Sequence, residues 1–155
     1  MVCQQFEPLS HHTPVVAAKL YFDLGVDIRM KQVVDVPENA DVLGPYSHGT
    51  TNGDVLFTAG QIPVTPEGEV LDDEPIGAQT EQALSNIERI LAAADLTMDH
   101  VLKMTVYMTD IDDFDEVNRV YRSFFVSEPP ARTAFEVQRL ADGAAIEIEA
   151  VATHG

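Results

Sequence analysis

Residues 101–125 read VLKMTVYMTDIDDFDEVNRVYRSFF, and a change of period inside this stretch decides the class of fold. Leu102, Met104, Val106 and Met108 alternate with Lys103, Thr105, Tyr107 and Thr109, the period-two pattern of a half-buried strand. Beyond them Phe114, Val117, Val120, Tyr121, Phe124 and Phe125 recur at spacings of three, four and seven. That stripe predicts an amphipathic helix, which Asp112 or Asp113 can cap and Pro129 and Pro130 end. A strand running straight into a helix, each with one apolar side, predicts an α+β domain.

Working outward, Ala83, Leu84, Ile87, Ile90, Leu91 and Ala94 mark one stripe of a second helix, from about Gly77 to Ala94. Pro63, Pro66, Gly68, the Asp72-Asp73-Glu74 cluster and Pro75 make residues 63–76 an acidic surface connection before it. Further upstream, Lys31 to Val36 is a strand candidate, Pro45 to Thr51 an extended segment, and Asp54 to Gln61 a strand with Val55, Phe57 and Ala59 on one face. Downstream, Ala131 to Leu140 and Ala145 to Ala152 read as two strands joined in a hairpin across Asp142 and Gly143.

The order is βββ-α-β-α-ββ, which predicts a mixed β-sheet with two helices packed on one face. In the last strand Glu147 and Glu149 point away from Ile146 and Ile148, and in its expected partner Arg132, Ala134, Glu136 and Gln138 share a side. An uncovered face carrying ordered charges predicts a closed homo-oligomer.

Residues 1–29 read as an N-terminal extension and residues 30–155 as a single domain. Thr13-Pro14, an apolar spacing through Val16, Ala17, Leu20 and Leu24, and Gly25 predict a short helix from about 13 to 24. An added docking element and an over-long reading frame both account for this prefix. No apolar run approaches the roughly 20 residues of a membrane span, and no basic segment precedes an apolar one at the N-terminus. The expectation is a cytoplasmic protein without a membrane partner.

Cys3 is the single cysteine, so no internal disulfide and no cysteine metal cluster can form. His11, His12, His100 and His154 show no metal-ligand spacing. The 155 residues hold 26 Asp plus Glu against 9 Lys plus Arg, a formal net charge of −17. With the basic residues scattered singly, nucleic acid is an unfavourable partner. Acids spread over the whole chain, with few lysines, predict a halophilic source in which concentrated salt screens the self-repulsion.

Several separated segments carry a resemblance. Gly44-Pro45-Tyr46-Ser47-His48-Gly49, Phe57-Thr58-Ala59-Gly60-Gln61-Ile62-Pro63, Val117-Asn118 with Phe124-Phe125, Pro130-Ala131-Arg132-Thr133-Ala134-Phe135-Glu136-Val137 and Ile146-Glu147-Ile148-Glu149-Ala150 together resemble the Rid/YjgF family of enamine and imine deaminases, often labelled endoribonuclease L-PSP. The resemblance runs from about Met30 to Thr153. It implies a chorismate-mutase-like fold, a homotrimer whose sheets form a central barrel, and inter-subunit sites that hydrolyse reactive 2-imino acids to 2-ketoacids and ammonia without metal or cofactor. Position by position it implies Arg132 as the carboxylate-binding residue, Glu147 as the acid that handles water and protons, Tyr46 as a cleft tyrosine, Gly60 as a backbone contact and Asn118 as a site-proximal asparagine. Two positions depart from the family pattern. Ala59 stands where deaminases often have serine and Ala134 where they often have cysteine, so both bear on substrate preference.

The chemistry suits these residue types. An arginine fork makes two parallel charge-assisted bonds to a carboxylate. A partly buried glutamate, its pKa raised towards neutrality, can position a water and take its proton. A protonated imine is electrophilic enough that neither a serine nor a cysteine nucleophile is required. In a hairpin turning near Asp142, Glu147 would lie opposite about Val137, some 17 Å along the strand from Arg132 at roughly 3.3 Å per residue. A shared site would then need two subunits. The competing expectations are a non-catalytic regulatory trimer that binds a small carboxylate such as a 2-ketoacid, and an RNA-cleaving protein, which the charge disfavours.

Overall fold

The computed structural model describes residues 30–155 apart from Glu38, Ala40, Asp41, Leu43 and Val126. The expected N-terminal helix, Cys3, His11 and His12 lie outside the described residues. Lys31–Gly155 forms one compact unit. Its strands are β1 (Gln32–Val34), β2 (Gly49–Thr51), β3 (Val55–Thr58), β4 (Val101–Met108), β5 (Ala131–Glu136) and β6 (Ile146–Thr153). Its helices are α1 (Ile76–Ala92), between β3 and β4, and α2 (Phe114–Phe124), between β4 and β5.

The six strands form one mixed sheet in the order β1-β2-β3-β6-β4-β5. All neighbours are antiparallel except β4 and β5, which run parallel with Met104 opposite Arg132 and Tyr107 opposite Phe135. The parallel pair requires a crossover, and α2 supplies it. The expected β5–β6 hairpin does not form. Asp142 (φ 51°) and Gly143 (φ 78°) do turn the chain sharply, but β5 ends at Glu136 and not at Leu140, and the two strands flank β4 on opposite sides. β4 has two edges of unpaired backbone groups, and satisfying both outweighs the local preference for pairing the strands on either side of a turn.

Both helices pack on one face. Leu84, Ile87, Ile90 and Leu91 of α1, Leu56 of β3, Met104 and Met108 of β4, and Ile146 and Ile148 of β6 are fully buried in a single cluster that Val117 and Val120 of α2 join. Burial of each large side chain contributes about 1.5–3 kcal/mol. The β4 alternation starts one step off the expected one. A register shift between Val101 and Lys103 turns Val101 inwards (6% exposed) and leaves Leu102 outside (54%). Asp113 is the N-cap residue of α2, as expected, but without a side-chain bond; the capping bond lies earlier, where the Asp110 side chain accepts the Asp112 N–H at 2.9 Å ahead of a 3-10 turn that leads into α2.

Two buried amides on α1 fix the loops that approach the sheet. Gln79 donates to the Asp72 and Glu74 carbonyls (3.2 and 2.8 Å) and accepts the Ala145 N–H at 2.9 Å, one residue before β6 begins. Asn86 donates to the Val64 carbonyl at 2.9 Å and accepts from Gln82 and Arg89. These bonds satisfy polar atoms that would otherwise be costly to bury.

Candidate active site

The pairing between β3 and β6 breaks at the point where the candidate residues gather. Phe57 opposes Val151, and the next bridge joins Gln61 to Ile148, so β3 advances four residues while β6 advances three. One extra residue on β3 makes this a β-bulge, a device that re-aims side chains beside functional clefts. The Thr58 hydroxyl accepts the Ala150 N–H at 2.9 Å, repairing the interrupted ladder. The bulge carries Ala59 and Gly60 to the wall of a cleft of about 850 Å³, which Tyr46, His48, Gln61 and Glu147 also line.

Gly60 leaves room for the Glu147 carboxyl group, which a Cβ there would run into. Burial and the like charge of Glu149 hold the Glu147 carboxyl above the usual carboxylate range. Its neighbour is engaged elsewhere: the Tyr107 hydroxyl donates to Glu149 Oε1 at 3.2 Å. Among the described residues no hydrogen bond engages the Glu147 carboxyl group. His48, buried on the same wall, places Nδ1 3.6 Å from Asp35.

Arg132, Asn118 and Ala134 lie elsewhere. Paired residues share a face of the sheet. Arg132 and Ala150 both oppose the fully buried Met104, so Arg132 points to the helix-covered side, whereas Glu147 and Phe135 oppose Tyr107 and point to the open side. The expectation that Arg132 and the glutamates share the uncovered face is thereby corrected. Alternation fixes which residues go together, and only the crossover of α2 decides which side is covered. Arg132 Nη2 donates to Asn118 Oδ1 at 2.6 Å, and Ala134 packs against the core. Three residues along β4 and one strand on either side of it separate Arg132 from Glu147, about 14 Å between Cα atoms. One chain brings Tyr46, Ala59, Gly60 and Glu147 together, and Arg132 with Asn118.

Two aromatic residues read as core from the sequence belong with Arg132. Its guanidinium carbon lies 4.6 Å from the centre of the Tyr121 ring and 5.3 Å from that of Phe114, which is 36% exposed. Phe57 and Phe135 stand half exposed on the open face. The spacing 114, 118, 121 was the available signal, since i, i+4 and i+7 fall on one side of a helix.

Residues 37–154 match the family model described as Endoribonuclease L-PSP. The chain belongs to this family, the Rid/YjgF family. A RutC family protein of Pyrococcus horikoshii is 44% identical to this Rid-family chain over 124 residues, covering 79% of this chain and 98% of that protein. The human 2-iminobutanoate/2-iminopropanoate deaminase is 36% identical over 126 residues, covering 81% and 92%. Among solved structures, Escherichia coli TdcF with bound serine superposes with a TM-score of 0.76 at 35% identity, covering 80% of this chain and 99% of that one. The mixed sheet with two helices is therefore the family's fold. Among the described residues, no helix is long and apolar enough to cross a membrane, and no group of three His, Cys, Asp or Glu side chains is placed to hold a metal ion.

Proposed function

We propose that this chain hydrolyses reactive 2-imino acids to 2-ketoacids and ammonia as a homotrimer, with Arg132 of one subunit and Glu147 of the next completing each site. The observation that carries the reading is the Glu147 carboxyl group: it lines the cleft, lies against Gly60, has a raised pKa and is spared the hydrogen bond that engages Glu149. Arg132 binds the substrate carboxylate, and Tyr46 and the Ala59–Gly60 bulge shape the wall around the imine. Glu147 takes a proton from water as the new C–O bond forms at the imine carbon, then returns it to the nitrogen. The C–N bond breaks, ammonia leaves, and the hydroxyl loses its proton to give the ketone.

The named activity of the human relative and the serine bound by the bacterial one both support a small amino-acid-like carboxylate as ligand. The family's endoribonuclease description finds no support in a chain of net charge −17. The test is to generate 2-iminobutanoate with a threonine dehydratase in high salt and follow ketoacid formation with and without this protein. Acceleration that disappears in Arg132→Ala is expected. A folded oligomer that binds 2-oxobutanoate through Arg132 yet leaves the rate unchanged would identify a non-catalytic carboxylate-binding module instead.

A further inference from the structure

Among the described residues Arg119 pairs with Glu116, whereas Arg132 has no carboxylate partner. Its guanidinium is held by three uncharged side chains of α2: the Asn118 amide oxygen at 2.6 Å and the rings of Tyr121 and Phe114. They occupy i, i+4 and i+7 of one helix face, so a single rigid element sets all three. Tyr121 is 5% exposed, among the described residues its buried hydroxyl has no hydrogen-bond partner, and the ring face is the part that meets Arg132. Aromatic faces attract a guanidinium through their quadrupole without cancelling its charge. A carboxylate in the place of Asn118 would hold the arginine more strongly and also neutralise it.

We propose that Phe114, Asn118 and Tyr121 form a charge-neutral mount that fixes the Arg132 guanidinium while keeping its charge available to an incoming carboxylate. Phe114 and Tyr121 are then positioning residues. The inference rests on the proposed role of Arg132 and adds the rule that its supports carry no charge.

The test uses the full chain, with 2-oxobutanoate titrated calorimetrically and imine hydrolysis measured in parallel. Tyr121→Leu should weaken ketoacid binding about two- to thirty-fold, the range of a lost cation–π contact, with a larger effect on KM than on kcat. Tyr121→Phe, which keeps the ring, should restore binding to within about twofold of wild type. Asn118→Asp should weaken binding by about tenfold or more while the protein melts no lower than wild type, because a near-isosteric carboxylate pairs with Arg132. A purely structural asparagine would tolerate that change. Wild-type binding in both Tyr121→Leu and Asn118→Asp, with the wild type active, overturns the mount alone. Absence of ligand binding and turnover in the wild type overturns the deaminase reading and the mount with it. If Tyr121→Leu does not fold, Asn118→Asp decides.

Discussion

Gly60→Ala separates the placement of Glu147 from the integrity of the fold. An ideal Cβ at position 60 stands 2.8 Å from Cδ and 3.1 Å from Cγ of Glu147, with Oε1 closer still. Carbon contacts settle at about 3.5–4.0 Å, so the carboxyl group must swing away by about 1 Å. The obstacle is the end of a rotatable side chain, and Gly60 is not among the glycines with positive φ, so the backbone accepts alanine. Stability should change by less than about 1 kcal/mol, the reduced freedom of the unfolded chain offsetting the altered Glu147 rotamer. A displacement of about 1 Å at a reacting group costs about 10²-fold, close to 2.7 kcal/mol in the barrier. The assay is kcat/KM for imine hydrolysis beside a thermal melt, with Glu147→Gln and the double variant completing a cycle. The double variant should be no slower than Glu147→Gln, because the group that Gly60→Ala displaces is already gone. Wild-type turnover by Gly60→Ala, or losses that simply add, would refute this account of the site.

Other consequences are checked as directly. A carboxyl group whose folded pKa lies above its unfolded value destabilises the fold when ionised, a penalty relieved as pH falls through the folded pKa. Glu147→Gln should therefore melt above wild type at neutral pH, with the gain shrinking as pH falls towards the unfolded carboxylate range, as scanning calorimetry across that window would show. Phe57→Glu puts a charge on the half-exposed open face. Size exclusion should report a folded monomer without imine hydrolysis, and a fully active monomer would contradict the inter-subunit site. With a net charge of −17, the melting temperature should rise by several degrees as potassium chloride is raised from about 0.1 M to 1 M, where the screening length falls from about 10 Å to 3 Å. A flat salt dependence would count against adaptation to brine.

The elements were legible because each carries its own local signal. The Ala83 to Leu91 stripe of α1 and the Met104 to Met108 alternation of β4 repeat within one element, and both lie where the periodicity places them. Partner choice is not local. Asp142 and Gly143 do make the tight turn that their residue types announce, yet the strands on either side of it go to opposite edges of β4. The same gap affected the site. Arg132, Ala134 and Glu136 share a side by alternation, but nothing within 131–136 says that α2 covers that side. The motif singles out Glu147, and the cleft adds its contact with Gly60. Phe114 and Tyr121 were visible only as apolar residues, because a ring that fills a core and a ring that meets a cation have the same hydropathy.

The last strand in the chain, β6, lies inside the sheet, between β3 and β4. Any sheet assembled from β1 to β5 without Ile146–Thr153 is therefore split in two at its centre. Without that segment β3 and β4 each present an unpaired edge, and the Gly60 bulge loses the carboxyl group that sits against it. Losing β6 exposes two sheet edges at once, so a chain truncated before Ile146 should aggregate and not settle into a smaller stable sheet.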